Sequence, residues 1–187
     1  MILGLTGPMA SGKNTVIEAL KKKGFKRITM SDVIRAEMDK LGIPTERSKM
    51  QDFANSVRAK EGAGAWAKRC LAKIKAEGGD EWVVDGIRNP AEIDELEKDP
   101  SFVLIAIMLS EREIVKRILA RKRDIDSKDT KEIIRELLRD WGKDEPPEGQ
   151  QVGLCVRRAD YVFDNSIPLE KVEKEFLKLY DRILKKS

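Results

Sequence analysis

The chain has 187 residues, of which 41% are hydrophobic and 37% are charged. This length predicts one domain with a sizeable core, and the composition is typical of a globular protein rather than a disordered or membrane-spanning one. Histidine is absent, which excludes Ser-His-Asp and Cys-His hydrolysis and histidine-bound metals. The chemistry must therefore use carboxylates, lysines, arginines, hydroxyls or backbone amides.

Charge and targeting patterns point to a cytoplasmic protein with a small-molecule partner. The 37 Lys and Arg residues and 33 Asp and Glu residues are interleaved, and aromatic residues make up 5% of the chain. That mixture is typical of a solvated surface and does not favour a nucleic-acid partner, whereas a phosphate-bearing small molecule needs only a few placed cations. The longest apolar run, 102–109, is too short to span a bilayer, and the opening MILGLT lacks the pattern of a secretory signal. Two cysteines, Cys70 and Cys155, are too few for a disulfide framework, and we expect neither to do chemistry.

The first half of the chain alternates short apolar runs with segments of helical periodicity. A Gly-rich turn follows the first apolar run, and three lysines before Gly24 indicate the end of a helix. The predicted elements are a strand at 1–6, a helix at 14–23, a strand at 25–30, a helix at 33–41 with Ser31 and Asp32 as candidate N-caps, helices at 49–60 and 65–76, and a strand at 81–85.

The second half continues this alternation around one charged segment. The run FVLIAIML at 102–109 is apolar at every position, as expected for a parallel strand covered on both faces. Residues 122–150 are charged, contain Pro146 and Pro147, and predict a small helical excursion with exposed hinges outside the core. The remaining predictions are a short helix opened by Pro90, a helix from a capping box at 110–113 to Arg121, a strand at 159–164 and an amphipathic helix at 168–185. This order predicts an α/β fold with a mainly parallel sheet.

The segment GPMASGKNT at 7–15 has the G-x-x-x-x-G-K spacing of a phosphate-binding loop between a strand and a helix. Gly7 and Gly12 permit the backbone conformations that let successive N–H groups surround a phosphate at the helix N-terminus. Lys13 would reach the β- and γ-phosphate oxygens. Asn14 stands where the strict pattern has Ser or Thr, and a hydroxyl follows at Thr15. The alternative is a Gly-rich turn that merely caps a helix.

This loop resembles the G-x-x-G-x-G-K-x-T loop of nucleoside monophosphate kinases, in which a threonine also stands two places after the lysine. Ala10 replaces the middle glycine of that family pattern. The resemblance implies that the loop binds the phosphates of ATP through Gly7, Pro8, Met9, Ala10, Ser11, Gly12, Lys13, Asn14 and Thr15.

Three further segments are similar to motifs of the same family. SDVIR at 31–35 resembles G-D-x-L-R, whose arginine binds the acceptor phosphate, and VDGIR at 84–88 resembles D-G-F-P-R, with an aspartate near magnesium and a second acceptor arginine. RILAR at 117–121 resembles R-x-x-x-R, at the start of a mobile lid over ATP. The resemblance implies an acceptor-binding insert near 31–77 and a lid near 121–150. It also implies catalytic roles for Lys13, Asp85, Arg88, Arg117 and Arg121, acceptor binding by Asp32, Arg35 and Arg88, and Mg²⁺ binding by Thr15 and Asp85.

The chemistry of these side chains is consistent with the implied roles. Asp85 ends an apolar strand at the sheet edge where parallel sheets bind ligands, and a carboxylate beside a triphosphate suits Mg²⁺. With Gly86 it could instead form a simple turn. Arg35 and Arg88 follow strand ends and could grip one anion, or form surface ion pairs.

Arg117 and Arg121 lie four residues apart, on one face of a helix, and could grip one polyphosphate. Glu113 lies four residues before Arg117, so the alternative is an exposed ladder of ion pairs along that helix.

The two ends of the chain also resemble dephospho-CoA kinase and archaeal-type proteins similar to it. The matching segments are ILGLTGPMASGKNTV at 2–16 and RRADYVFDNSIPLEKVEKEF at 157–176. The central His-Pro motif of that enzyme is missing, because the chain has no histidine. A hydroxyl acceptor of this kind would make Asp32 a general base, whereas a phosphate acceptor would leave Asp32 a helix cap.

Together these features predict a P-loop three-layer α/β sandwich with a five-stranded parallel sheet. The predicted function is Mg²⁺-assisted transfer of the ATP γ-phosphoryl group to a nucleoside monophosphate-type acceptor, with dephospho-CoA as the alternative. A third possibility is an ATPase switch that binds RNA or protein, which the sequence pI near 9.0 would favour. The absence of an N/T-K-x-D motif and a length too short for an ordinary AAA module argue against it.

Overall fold

Five strands form one sheet in which every pair of neighbours is parallel. The structure is a computed structural model that describes residues 1–121 and 129–185, with the backbone alone at Arg47, Ser48 and Arg121. The strands are β1 (Ile2–Thr6), β2 (Lys26–Thr29), β3 (Trp82–Asp85), β4 (Phe102–Met108) and β5 (Tyr161–Asp164). Their order across the sheet is β2-β3-β1-β4-β5.

Helices cover both faces of this sheet, which confirms the predicted three-layer α/β fold. The helices are α1 (Lys13–Lys21), α2 (Met30–Lys40), α3 (Arg47–Glu61), α4 (Ala65–Glu77), α5 (Pro90–Leu96), α6 (Glu111–Arg121), α7 (Thr130–Trp141), α8 (Val152–Arg158) and α9 (Leu169–Leu184). One core cluster joins the sheet to α1 and α9, and a second joins it to α2, α3, α4, α5 and α8. The seven-residue helix α8 was not predicted, because its N-terminus has no side-chain cap that would indicate a helix start in the sequence.

The central strand determines where the site lies. All five residues of β1 are buried, and Ile2 pairs with Trp82 of β3 and with Phe102 of β4. The strand order changes direction at β1, and ligands of open parallel sheets bind at such a point, beyond the carboxyl ends of the strands. The loop after Thr6 therefore leaves the sheet at its central crevice.

The insert between β2 and β3 consists of α2, α3 and α4, and it begins one residue before the predicted boundary. The Thr29 hydroxyl accepts a hydrogen bond from the Asp32 N–H at 2.9 Å, so Thr29 is the N-cap and α2 begins at Met30. The predicted N-caps Ser31 and Asp32 were therefore wrong. The last residue of a strand carries the capping hydroxyl, so the strand and helix join without a loop.

The prediction that residues 122–150 lie outside the core was also wrong for α7. Ile133 is fully buried and Leu137 is 8% exposed, and both pack in a third core cluster with Met9, Leu109, Ile114 and Ile118. Because Met9 belongs to the Gly-rich loop, α7 packs directly against that loop. Residues 122–128 of the predicted lid lie outside the described part of the chain.

Both cysteines are free and buried. Burial raises the pKa of Cys70 to about 12 and raises the pKa of Cys155 as well, so both thiols stay protonated and unreactive at neutral pH. Within residues 1–121 and 129–185, no helix is long and apolar enough to cross a membrane.

We expect Ile133→Ala to lower the free energy of unfolding by about 2–4 kcal/mol, because the change leaves a cavity between α7 and the loop. Leu138→Ala, on the same helix but 37% exposed, should cost less than about 1 kcal/mol. Urea denaturation of the two variants measures both effects. Equal, small losses would contradict a packed α7.

Candidate functional site

The Gly-rich loop closes against the sheet at two glycines. Gly7 has φ +119° and Gly12, the N-cap of α1, has φ +98°. A Cβ at Gly7 would lie 2.2 Å from the Ile107 carbonyl oxygen, and a Cβ at Gly12 would lie 2.0 Å from Asn165 Nδ2. Neither position has room for a side chain, so the two glycines bring the loop backbone against β4 and the β5–α9 connection.

Lys13 folds back over this loop. Its Nζ donates hydrogen bonds to the carbonyl oxygens of Gly7 at 2.7 Å and Pro8 at 2.9 Å. Removal from water lowers the pKa of Lys13, although Asp85 and Asp140 act to raise it. The ammonium group therefore lies at the loop, among carboxylates that face the same cleft.

Ala10 occupies the loop position at which the family pattern has glycine, and it has φ +56°. This left-handed conformation costs a residue with a Cβ about 1–2 kcal/mol, which a glycine would not incur. The loop geometry is thus kept at this position in spite of the alanine.

Three buried side-chain atoms at the loop have no hydrogen-bond partner among the described residues. They are Asp85 Oδ1, at the end of β3, Ser11 Oγ, in the loop, and Asn165 Oδ1, directly after β5. A buried carboxylate oxygen without a donor fits a cation, and hard oxygen ligands suit Mg²⁺. The described residues contain no cluster of three or more Asp, Glu, Cys or His side chains that could hold a metal. A bound Mg²⁺ would therefore complete its coordination with phosphate oxygens and water.

A cleft of about 860 Å³ opens above the loop. It is lined by the loop residues Met9 to Asn14, by side chains of the insert, and by Glu136, Asp140 and Gln150 from the segment that follows α6. Of the predicted site residues outside the loop, Arg35, Asp85, Arg88 and Arg117 line the cleft together, whereas Asp32 does not. Within the loop, Gly7, Pro8 and Thr15 do not line it. The side chain of Arg121 lies outside the described part. Cations that sequence reasoning missed, Arg27 and Arg58, also line the cleft.

Asp32 and Arg35, three residues apart on α2, form an ion pair. Arg35 Nη2 lies 2.6 Å from Asp32 Oδ1, and both side chains are about half exposed. Desolvation acts to raise the pKa of Asp32, but its hydrogen bonds with Arg35 and Thr29 outweigh that effect and leave the pKa below its ordinary value. A carboxylate of this kind accepts a proton less readily than an unperturbed one.

Arg88 is held by two buried residues that the sequence analysis missed. Its Nη1 donates to Asp140 Oδ1 at 3.2 Å and to Gln150 Oε1 at 3.1 Å. The second oxygen of Asp140 accepts a hydrogen bond from the Met9 N–H at 3.1 Å. Asp140 therefore joins α7 to the arginine and to the loop. No local sequence pattern predicts this contact, because the three residues come from distant segments.

A buried ion pair connects the insert to the segment after β3. Arg58 of α3 donates from Nε and Nη2 to Glu92 Oε1, at 3.1 and 2.8 Å, and both side chains are nearly inaccessible. The other oxygen of Glu92 accepts the backbone N–H groups of Arg88 and Asn89. Sequence reasoning missed this role, although the pattern Asn89-Pro90-Ala91-Glu92 has the form of a capping box and could have indicated it.

Arg117 lies against the loop rather than in a surface ladder. Glu113 pairs with Lys116 at 2.6 Å, so the predicted alternative of a Glu113–Arg117 ion pair does not form. Arg117 Nη2 donates to the Asn165 carbonyl oxygen at 3.3 Å, and its Nη1 lies beside Gly12. Asn165 in turn donates from Nδ2 to the Ser11 carbonyl oxygen at 2.7 Å. This arrangement brings a guanidinium group to the N-terminus of α1.

Polar contacts also join the insert to the segment after α7. Asn55 of α3 donates to Glu145 Oε2 at 2.9 Å, and Arg139 of α7 bonds both to Glu145 and to Asp52 of α3. The insert and α7 thus meet across one side of the cleft.

A phosphate-binding loop after the central strand of a parallel sheet, with a helix starting at its lysine, defines a P-loop α/β protein. Solved structures share this fold. TT1252 from Thermus thermophilus has a TM-score of 0.64 at 18% identity over 97% of both chains. Shikimate kinase from Acinetobacter baumannii has a TM-score of 0.59 at 15% identity over 100% of this chain and 94% of its own.

The sequence comparisons identify the family. A family model described as "AAA domain" matches residues 6–135. The UPF0200 protein of Sulfurisphaera tokodaii is 35% identical over 98% of this chain and 97% of its own length, and that of Methanothermobacter thermautotrophicus is 26% identical over 100% and 93%. The chain is a member of the UPF0200 family and of the P-loop family described as AAA domain.

We expect Ala10→Gly to raise the free energy of unfolding by about 0.5–1 kcal/mol, because glycine adopts the positive φ without a Cβ clash. Ala72→Gly, at an exposed position within α4, should lower it by about 1 kcal/mol. Chemical denaturation of the two variants compares the same substitution in opposite backbone conformations. A loss of stability in both would contradict strain at Ala10.

Proposed function

We propose that this protein is an ATP-dependent kinase that phosphorylates a small acceptor which itself carries a phosphate group. The observation that carries the proposal is the cleft in which Lys13 and Arg117, at the phosphate-binding loop, face the same space as Arg35 and Arg88. One group of cations suits a triphosphate at the loop, and the other suits a second anion. A protein that only hydrolysed ATP would have no need of the second group.

In this proposal each residue at the loop has a defined task. Lys13 and backbone N–H groups of the loop at the N-terminus of α1 bind the β- and γ-phosphates, and Arg117 neutralises charge above Gly12. Asp85 and Thr15 would hold Mg²⁺, which supplies positive charge to the phosphate oxygens when bound. The bond between the γ-phosphorus and the β–γ bridging oxygen breaks, a bond from an acceptor oxygen to that phosphorus forms, and ADP leaves.

The contacts of Asp32 favour a phosphate acceptor over a hydroxyl acceptor. A hydroxyl needs a base beside it, whereas an ionised phosphate oxygen needs none. The Asp32 carboxylate is paired with Arg35, and its pKa is lowered rather than raised. Arg35 and Arg88 would bind the acceptor phosphate, and Ile34, Met50 and Ala54 give the same part of the cleft an apolar wall. That combination suits a nucleoside monophosphate.

A hydroxyl acceptor is the second candidate, and the names of proteins with similar solved structures favour it. They include shikimate kinases and a sugar kinase, the latter at a TM-score of 0.52 and 16% identity. Dephospho-CoA belongs to this class because its acceptor atom is a hydroxyl oxygen, and the ends of this chain resemble its kinase.

The assay offers AMP, CMP, UMP, GMP, their deoxy forms and dephospho-CoA separately, each with γ-labelled ATP and Mg²⁺. We expect at least one nucleoside monophosphate to be converted to a labelled diphosphate. Lys13→Ala should reduce the rate by a factor of about 10² or more, because it removes the charge nearest the β- and γ-oxygens. Lys21→Ala, on an exposed turn of α1, is the matched control.

The labelled product discriminates between the candidates. A labelled nucleoside diphosphate supports the proposal and identifies the base, whereas labelled CoA would replace it with the hydroxyl acceptor. ATP hydrolysis without any labelled acceptor would contradict both and favour an ATPase that binds RNA or protein.

We expect Asp32→Asn to change kcat by less than about threefold for a phosphate acceptor, since no proton needs to be removed from it. For a hydroxyl acceptor the loss of a general base should cost about 10²–10⁴ in kcat. Steady-state rates of the variant, with Asp39→Asn on the same exposed side of α2 as control, measure the difference. A severe loss confined to Asp32→Asn would contradict a phosphate acceptor.

A further inference from the structure

The guanidinium group of Arg88 is held at one of its three nitrogens. Nη1 donates to both Asp140 Oδ1 and Gln150 Oε1, which uses both of its hydrogens. Nε and Nη2 donate to no residue in the described part of the chain. The side chain is 29% exposed and lines the cleft, so its Nε–Nη2 edge is open to a ligand.

This open edge distinguishes Arg88 from the neighbouring Arg58. Arg58 uses all three of its nitrogens, two on Glu92 and one on Asn55, and is buried. Arg58 therefore has no edge left for a ligand and acts as a structural cation. A guanidinium whose Nε and Nη2 hydrogens point the same way fits two oxygens of one phosphate.

The two residues that hold Arg88 are themselves fixed. Asp140 is 3% exposed, and its two oxygens serve different donors, Arg88 on Oδ1 and the Met9 N–H on Oδ2. Gln150 is 6% exposed, and the N–H of the next residue donates to the Arg88 carbonyl oxygen at 2.6 Å. The backbone of Arg88 is bound in turn by Glu92. Both ends of the arginine are thus attached to buried groups.

We propose that Asp140 and Gln150 are positioning residues that orient Arg88 so that its Nε–Nη2 edge grips the acceptor phosphate. The proposal rests on the proposed function, in which Arg88 binds that phosphate. Through the Met9 N–H, Asp140 also fixes this arginine relative to the loop that binds ATP. The distance between the two phosphate sites is therefore set by one carboxylate, as an in-line transfer requires.

Asp140→Asn tests the role because asparagine has one acceptor oxygen where aspartate has two. The asparagine oxygen can accept a hydrogen bond from the Met9 N–H or from Arg88, but not from both. Its NH₂ group then faces the other donor and repels it. We expect kcat/KM for the acceptor to fall about tenfold while KM for ATP changes less than about twofold. Gln150→Leu should lower kcat/KM for the acceptor in the same selective way. Asp144→Asn, four residues on and exposed, is the matched control.

A double-mutant cycle separates positioning from a structural role. In an Arg88→Ala background, Asp140→Asn should change kcat/KM for the acceptor by less than about twofold, since no arginine remains to be oriented. An equal tenfold loss in both backgrounds, or a parallel rise in KM for ATP, would overturn the proposal. Thermal unfolding checks that each variant folds; if Asp140→Asn does not, the same cycle with Gln150→Leu decides.

Calorimetric titration of the same variants with inorganic phosphate requires no turnover. Asp140→Asn should weaken phosphate binding about tenfold in the wild-type background and leave it unchanged in the Arg88→Ala background. This pattern in a protein that phosphorylates no acceptor would refute the proposed function and support the positioning role. Unchanged phosphate binding in Asp140→Asn would overturn the positioning role even if transfer activity is found.

Discussion

The side of the cleft that carries Arg88 depends on the carboxylate of Glu92. One of its oxygens receives two N–H groups of Arg58, and the other receives the backbone N–H groups of Arg88 and Asn89. An unpaired charge in so buried a place would be strongly destabilising, so the four donors and the carboxylate must come together. By meeting this requirement the chain connects α3 to the segment after β3 and determines where the backbone of Arg88 lies.

The sequence predicted the sheet and the loop well, because both depend on local signals. Strands were predicted at all five places, with continuous apolar runs at β1, β3 and β4, and the glycines with Lys13 marked the loop between β1 and α1. The sequence did not predict the partners of the arginines, because Asp140, Gln150 and Asn165 reach the site from segments far along the chain. Their positions follow from the packing of α7, α8 and β5. No periodic pattern within those segments indicates this packing.

The burial of α7 was also missed because it depends on contacts with distant segments. Charged residues surround Ile133 and Leu137, so the composition of the segment indicated a solvated excursion. Two apolar side chains at helical spacing were nevertheless enough to form a cluster with Met9 of the loop and with α6. The helix that carries Asp140 is therefore held to the loop by apolar contacts as well as by a hydrogen bond, which gives the carboxylate a fixed base.

The central place of β1 also bears on how the chain acquires its structure. Its two neighbours begin at Trp82 and Phe102, and the second of these lies beyond the midpoint of the chain. Such non-local pairing slows folding, because long loops must close before any contact compensates for their entropy. During synthesis the first strand emerges with both edges unpaired, and the edge that pairs with β4 stays so until more than half of the protein has been made. The nascent chain therefore exposes an apolar strand edge to aggregation, and the phosphate-binding loop is formed late although it lies near the start of the sequence.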